Sequence, residues 1–115
     1  MTMNHKILLV CVLGFFAGQT SAMGVSGNAA AGKQKAVTVC AACHGADGNK
    51  TLDNSYPKLA GQYPDYLLKA LKEYKSGKRV NAIMAGQVQA LTDADMANLA
   101  LYYGSLKSQI GTLPK

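Results

Sequence analysis

Two cysteines and a histidine stand together in the segment Cys40-Ala-Ala-Cys43-His44. This is the spacing that fixes haem covalently, because each thiol can add across one vinyl group of the porphyrin. The imidazole that follows at once can then reach the iron from one face. The segment therefore predicts one haem c, covalently attached through Cys40 and Cys43, with His44 as an axial ligand of the iron.

Three other uses of the cysteine pair compete with this interpretation. A thioredoxin-like redox pair should follow a strand, whereas the residues before Cys40 form an alanine-rich helical pattern. A zinc site would need at least one further cysteine, histidine or carboxylate in register. A structural disulfide between Cys40 and Cys43 is the third alternative in an oxidising compartment. Haem attachment is the interpretation that the remaining sequence favours.

The second axial position of the iron needs a ligand from elsewhere in the chain. His5 belongs to an N-terminal leader, so the mature chain has no second histidine. Its methionines are Met23, Met84 and Met96. Met23 lies at the expected cleavage point, and Met96 falls on an apolar helix stripe where core packing is its expected role. Elimination leaves Met84, which we expect to be a haem ligand carried by a flexible loop.

A histidine and methionine ligand pair has a functional consequence. The thioether favours ferrous iron and raises the reduction potential, and two occupied axial positions keep substrates away from the metal. This arrangement is typical of an electron transfer protein, not an enzyme. A tightly bound haem subunit of a periplasmic dehydrogenase complex is the alternative function. An enzymatic or sensory role, with a small ligand replacing Met84, is a third.

The N-terminus has the three parts of an export signal. His5 and Lys6 precede an apolar run of 11 residues, and a small-residue segment ends at Ala22. The run is shorter than the roughly 18 to 20 apolar residues that span a bilayer. We therefore expect a signal peptide over 1–22, a single domain over 23–115, a periplasmic location and no stable membrane insertion after signal removal.

Composition supports a large cofactor and a basic surface. Leu, Ile and Val make up 17 of the 93 residues after Ala22. That share lies below the roughly 20% with which a chain can build its own core, so a haem would supply the missing apolar mass. Loss of Lys6 leaves 11 basic residues against six acidic ones, a net charge of +5. This excess favours partners with acidic surfaces. The scattered lysines and the exported location argue against nucleic acid.

Three helical stretches are predicted, without convincing strand alternation between them. The first runs from about Ala29 to Ala41 with Asn28 as N-cap, and delivers the two cysteines at its end. The second begins at Pro64 and ends at Gly77. The third follows the cap Thr92 and ends near 104–107. Loops over 45–62 and 77–91 are each expected to wrap one edge of a flat cofactor.

From about Ala29 to Leu106 the chain resembles a small bacterial single-haem class I cytochrome c, akin to one half of the dihaem bacterial forms. The residues that carry the resemblance are Cys40-Ala-Ala-Cys-His-Gly45, Pro57-Lys-Leu-Ala-Gly-Gln62, Tyr74-Lys-Ser-Gly-Lys-Arg79, Asn81 with Met84, and Leu99-Ala-Leu-Tyr102. The resemblance implies an all-α class I cytochrome c fold, with three main helices wrapped around one covalent haem.

The resemblance also implies roles for individual residues. The Pro57 carbonyl accepts a hydrogen bond from His44, and Met84 is the distal ligand. Gly32 lets the first helix pack closely on Leu99 and Tyr102 of the last helix. A further group helps to hold the haem propionates or the methionine loop: Gln62, Arg79 and Asn81.

Partners follow from the expected shuttle role. We expect redox proteins with acidic docking surfaces, such as a quinol–cytochrome c reductase, a terminal oxidase or a periplasmic dehydrogenase. The docking surface would be the exposed haem edge, ringed by basic residues that include Lys50, Lys58, Lys78 and Arg79. Redox encounters of this kind are small, typically under ~1,200 Å².

Overall fold

A computed structural model describes residues 24–109 of the chain. The signal peptide predicted over 1–22 lies outside these residues. Over 24–109 the chain is helical and contains no strand, as the all-α prediction requires. Its elements, in chain order, are α1 (Ala29–Val39), α2 (Ala41–His44), α3 (Pro64–Ser76), α4 (Ala82–Val88) and α5 (Asp93–Ser105). The three longer helices, α1, α3 and α5, are the three that the sequence predicts.

Helix α1 begins at the predicted cap. The Asn28 side chain accepts a hydrogen bond from the backbone N–H of Ala31, which satisfies one of the free donors of the first turn. The predicted single helix over 29–41 is interrupted at Cys40, which keeps helical dihedrals but separates α1 from the one-turn helix α2. The two cysteines therefore flank this junction: Cys40 lies at the junction itself and Cys43 lies within α2.

Helices α1 and α5 touch backbone to backbone. Gly32 is buried, and a Cβ atom there would lie 2.0 Å from the Asn98 carbonyl oxygen and 2.9 Å from the Tyr102 Cβ. No other residue could take this position without separating the helices. The implied contact of Gly32 with Tyr102 is confirmed, and its closest approach is to Asn98. The Asn98 side chain also accepts a hydrogen bond of 2.6 Å from the Asn28 N–H.

Helix α3 begins and ends at the residues that the sequence predicts. Pro64 occupies the first turn, with Asp65 beside it. Gly77 ends the helix in the left-handed conformation, with φ of 79°. The chain turns sharply there, which returns the next segment toward the face that α3 presents to the interior.

The segment predicted as a loop over 77–91 contains a helix. Helix α4 runs over Ala82–Val88, and Asn81 caps it by accepting a hydrogen bond of 3.0 Å from the Met84 N–H. Met84 is therefore carried by a short helix rather than by a flexible loop. The helix packs against α3.

Helix α5 forms the centre of the core. Thr92 and Asp95 form a reciprocal capping box at its start. Met96 and Leu99 are almost completely buried, together with Val88 from α4. This placement confirms the packing role predicted for Met96. In the part of the chain that the structure covers, no helix is long and apolar enough to cross a membrane.

Candidate haem site

A cavity of about 570 Å³ lies between the cysteine motif and helices α3, α4 and α5. Its volume falls in the ~300–1,000 Å³ range of small-molecule and cofactor sites. All four predicted site residues line it: Cys40, Cys43, His44 and Met84. We refer to its side over 40–59 as the motif wall and to its side over 79–88 as the methionine wall.

His44 is held firmly in the motif wall. It is 6% exposed, and its Nδ1 lies 2.8 Å from the Pro57 carbonyl oxygen. A carbonyl can only accept, so Nδ1 carries the hydrogen and Nε2 keeps its lone pair. A metal-ligating imidazole is normally oriented in this way. The contact that the resemblance implied between His44 and Pro57 is therefore present, and the imidazole is prepared to bind iron through Nε2.

The loop that follows His44 closes back on the motif. Gly45 has φ of 82°, and a Cβ atom there would lie 2.4 Å from the Lys50 carbonyl oxygen. The Asp47 carboxylate accepts hydrogen bonds of 2.9 Å from the backbone N–H groups of Lys50 and Asn49. These hydrogen bonds hold the pKa of Asp47 below its usual value, and the bond from Lys50 has the largest effect. The motif wall is thus fixed by backbone contacts over its whole length.

The two cysteines are half-buried free thiols. Burial raises the pKa of the Cys40 thiol to about 11, so this thiol is protonated at neutral pH. Cys43 lies beside Tyr56, and the charge of Cys43 raises the pKa of the Tyr56 hydroxyl. The Tyr56 ring also meets the His44 ring edge-on, with 6.2 Å between the ring centroids. Cys40 and Cys43 are not joined by a disulfide, so both sulfurs are free to form thioether links.

The methionine wall is more open. Met84 is half-buried on α4 and lines the cavity. The Asn81 cap fixes the backbone of Met84. Asn81 is exposed and also lines the cavity. The structure thus brings Met84 to the same cavity as His44, as the sequence predicts, although on a helix.

Arg79 was predicted at the haem edge, where the resemblance implies that it helps to hold the propionates or the methionine loop, and it lines the cavity. Its guanidinium pairs with Glu73 at 3.3 Å and lies over the Tyr66 and Tyr74 rings, 5.7 Å and 5.5 Å from their centroids. Lys69 and Arg79 hold the pKa of Glu73 below its ordinary value, the Lys69 hydrogen bond being the largest cause. Arg79 is therefore held in the cavity wall by Glu73, which also pairs with Lys69 at 3.0 Å. Gln62 also lines the cavity, and its side-chain oxygen accepts from the Tyr63 N–H.

One residue of the cavity wall was missed by sequence reasoning. Tyr103 in α5 is 3% exposed, and its hydroxyl has no hydrogen-bond partner among the residues that the structure describes. The sequence placed Tyr103 on the apolar stripe of the last helix and so treated it as packing. A tyrosine where phenylalanine would pack equally well is the signal that could have marked it.

The residues of the cavity fit a covalently attached haem. Two free thiols and an imidazole with an available Nε2 lie in one wall, and a thioether lies in the other. The buried Tyr103 hydroxyl makes no hydrogen bond within residues 24–109, and Cys40 is its polar neighbour. Soft sulfur and imidazole donors are the ligand types that haem iron takes in electron carriers.

A model of the cytochrome c family matches residues 29–107. This chain belongs to the cytochrome c family. It is 47% identical over 107 residues to cytochrome c4 of Pseudomonas aeruginosa, an alignment that covers 93% of this chain and 51% of that protein. It is 45% identical over 83 residues to cytochrome c-554(548) of Halomonas halodenitrificans, covering 70% of this chain and 98% of that protein.

A solved structure gives the same result. Reduced recombinant cytochrome c4 from Pseudomonas stutzeri matches with a TM-score of 0.68 and 39% identity, over 75% of this chain and 49% of that one. The chain thus spans about half the length of the cytochrome c4 relatives that it matches, and corresponds to a single cytochrome c domain. The predicted cytochrome c fold is confirmed, and so is one haem c bound covalently through Cys40 and Cys43.

Some relatives carry names that mention partners. A thiosulfate dehydrogenase electron acceptor of Thiomonas intermedia is 36% identical over 105 residues, covering 90% of this chain and 45% of that protein. A cytochrome subunit of sulfide dehydrogenase from Chlorobaculum tepidum is 33% identical over 70 residues, covering 61% of this chain and 62% of that protein. Relatives of this chain therefore work with dehydrogenases.

Proposed function

We propose that this chain is a periplasmic one-electron carrier whose haem iron is held by His44 and Met84. The observation that carries the proposal is that a prepared imidazole, a thioether and two free thiols line one cavity. Haem supplies the change between ferric and ferrous iron when it is bound. The polypeptide binds it, orients His44, and excludes water from the metal.

The character of the cavity supports electron transfer. Its walls include Leu67, Leu71, Leu99 and Ala100, apolar residues that are buried or half-buried. An apolar shell around a haem stabilises the less charged ferrous state, and the Met84 thioether acts in the same direction. With His44 and Met84 both bound, no axial position remains for a substrate.

The mouth of the cavity is a suitable docking surface. Ile83 and Tyr66 both line the cavity and are exposed, at 55% and 44%. Lys58 also lines the cavity and is exposed, and Lys78 is exposed near the turn after α3. Neither lysine forms an ion pair within residues 24–109. A small apolar mouth bordered by free cations favours brief contact with acidic partner surfaces.

The names of the relatives indicate the class of redox partner. A quinol–cytochrome c reductase, a terminal oxidase or a periplasmic dehydrogenase would each present a suitable acidic surface. The relatives named for thiosulfate and sulfide dehydrogenases favour the last of these. They also support the second candidate function, a haem subunit bound permanently within a dehydrogenase complex.

The periplasmic location rests on the sequence pattern over 1–22. A charged start, an apolar run of 11 residues and small residues up to Ala22 form an export signal.

Spectroscopy and fractionation test the proposal together. The full chain should be produced in a host competent for cytochrome maturation, recovered from the periplasmic fraction and titrated electrochemically. We expect one haem per polypeptide by pyridine haemochrome, a single one-electron wave and no binding of carbon monoxide by the ferrous protein. Avid carbon monoxide binding would contradict Met84 ligation, and recovery only with a catalytic subunit would favour the second function.

A further inference from the structure

Tyr103 brings a hydroxyl into the haem cavity that the polypeptide does not satisfy. The residue is 3% exposed, and its oxygen has no hydrogen-bond partner within residues 24–109. Leaving a hydroxyl buried and unpaired costs about 1–3 kcal/mol. Phenylalanine would fill the same space without this cost. No acceptor within residues 24–109 meets hydrogen-bond geometry with the hydroxyl, so an acceptor placed correctly at the haem site would stabilise it.

The ring of Tyr103 is fixed in place. It packs against the Tyr102 ring with 5.1 Å between centroids. On the other side a Cβ atom added to Gly48 would lie 2.9 Å from its Cδ1. Its own carbonyl accepts a hydrogen bond of 2.9 Å from the Gly61 N–H. The hydroxyl is consequently held among the buried residues that line the cavity, so its partner must come from that cavity.

The sulfur of Cys40 is the polar atom beside it. Cys40 packs against the buried cluster that contains Tyr103, and both residues line the cavity. Burial raises the pKa of the Cys40 thiol, and the Tyr103 hydroxyl partly opposes that rise. Burial, followed by the charge of Cys40, raises the pKa of Tyr103 well above its ordinary value. The hydroxyl therefore keeps its proton at neutral pH and remains a donor.

Haem attachment changes what the Cys40 sulfur can do. The sulfur bonds to one vinyl carbon and the thiol hydrogen passes to the other, with no net oxidation or reduction. A thioether sulfur has no hydrogen and is only an acceptor. We propose that Tyr103 is a positioning residue of the haem site, and that its hydroxyl donates a hydrogen bond to the Cys40 thioether sulfur.

Such a bond has two effects. It holds the attachment edge of the porphyrin against α5, and it withdraws electron density from the sulfur that is bonded to that edge. Withdrawal of electron density favours the ferrous state, so the bond raises the reduction potential. The inference rests on covalent haem attachment and is independent of which partner exchanges electrons with the protein.

Tyr103→Phe in the haem-loaded chain tests this directly. We expect unchanged haem content and a lower midpoint potential. At a fixed applied potential, the ratio of reduced to oxidised protein should fall about two- to fivefold. Protein-film voltammetry measures the shift, and the absorption spectrum reports whether the axial ligands are retained. Iron ligands other than His44 and Met84 in the wild-type protein would contradict the proposed function. The role of Tyr103 is tested separately, by the difference in midpoint potential between wild type and Tyr103→Phe.

Tyr102→Phe is the matched control. The neighbouring Tyr102 hydroxyl donates to the Ala46 carbonyl at 2.8 Å, away from the cavity. Its loss should lower the melting temperature and leave the potential unchanged. An unchanged potential in Tyr103→Phe, or an equal shift in both variants, would overturn the inference.

A measurement on the unaltered protein guards against poor maturation of the variant. Proton NMR of the diamagnetic ferrous form should show a slowly exchanging hydroxyl proton of Tyr103. That proton should give a cross-peak to the β-protons of Cys40. A Tyr103 hydroxyl that exchanges as fast as that of an exposed tyrosine, without such a cross-peak, would equally overturn the inference.

Discussion

His44 and Met84 line the same cavity, but the walls that carry them are held very differently. His44 is buried, and Pro57 and the loop after Gly45 fix its ring. Met84 is half-buried on the seven-residue helix α4, whose packing partner is α3. Helices this short have little stability of their own. The histidine side is thus preformed, whereas the methionine side would gain rigidity from the proposed bond between Met84 and iron.

The contrast gives the site a fixed half and an adjustable half. In the proposed site, the fixed imidazole of His44 would set the position of the iron, and Met84 on the short helix α4 could adapt to either oxidation state. Substitutions in the motif wall should therefore affect attachment and folding. Substitutions in the methionine wall should affect the potential and access to the iron.

Replacing both cysteines, Cys40→Ser with Cys43→Ser, should have the largest effect. Without haem, the apolar residues that line the cavity lose their packing partner, and lost packing in a core can remove a large part of the ~5–15 kcal/mol stability of a domain. We expect no covalent haem by mass spectrometry and no cooperative thermal transition by circular dichroism. The single variant Cys43→Ser, which keeps one attachment point, is the control. A stable, cooperatively unfolding double variant would show that the core does not need haem.

Met84→Ala should leave haem attached and change the metal. Loss of the thioether should lower the midpoint potential by about 120 mV, equivalent to a hundredfold change in the ratio of the two oxidation states. It should also allow the ferrous protein to bind carbon monoxide. Voltammetry and a carbon monoxide difference spectrum measure both effects. Met96→Leu, in the core, should keep the wild-type potential; if it shifts as far as Met84→Ala, Met84 is not the ligand.

Asn81→Ala should loosen the methionine wall without removing its ligand. The substitution deletes the cap that accepts from the Met84 N–H, at a cost of about 1 kcal/mol. Because α4 carries the ligand, exogenous imidazole should displace Met84 about fivefold more readily, as measured by spectroscopic titration. Thr92→Ala removes a cap of similar strength from α5, away from the ligand. Equal imidazole affinity in both variants would argue that α4 is not the adjustable element.

Asp47→Ala should have the smallest effect, confined to the motif wall. Hydrogen bonds from Lys50 and Asn49 lower the pKa of Asp47 in the folded protein. A lowered folded pKa means that the carboxylate stabilises the fold above the ordinary Asp pKa of about 3.9, and that this contribution disappears as the pH falls through the folded value. The difference in melting temperature between wild type and variant should be constant from pH 5 to 8 and shrink below about pH 4. A difference that persists unchanged at pH 2 would contradict this role.

Local sequence signals predicted most of the fold. Asn28, Pro64, Gly77 and Thr92 each begin or end a helix where the sequence placed them. These residues act through their own backbone or through groups two or three positions away, so a short segment is sufficient to interpret them. The motif wall was predictable for the same reason, because Cys40, Cys43 and His44 lie within five consecutive residues and their spacing can be seen in the sequence.

The methionine wall was less predictable. Helix α4 is short, includes Gly86, and was interpreted as a loop. Asn81 three residues before Met84 was the one local sign of its start. Arg79 was expected at the docking rim, but the left-handed turn at Gly77 brings it back onto Glu73. The Tyr103 hydroxyl is buried by elements that are distant in the sequence, so a short sequence segment does not show that it lacks a hydrogen-bond partner.

The meeting of Gly32 with Asn98 joins segments from opposite ends of the described chain. The haem motif at 40–44 therefore lies between two helices that cannot dock until the C-terminal one has been synthesised. Such long-range closure delays folding relative to helical proteins built from sequential neighbours. Cys40, which packs against the core that includes α5, would therefore stay open to haem attachment until α5 docks.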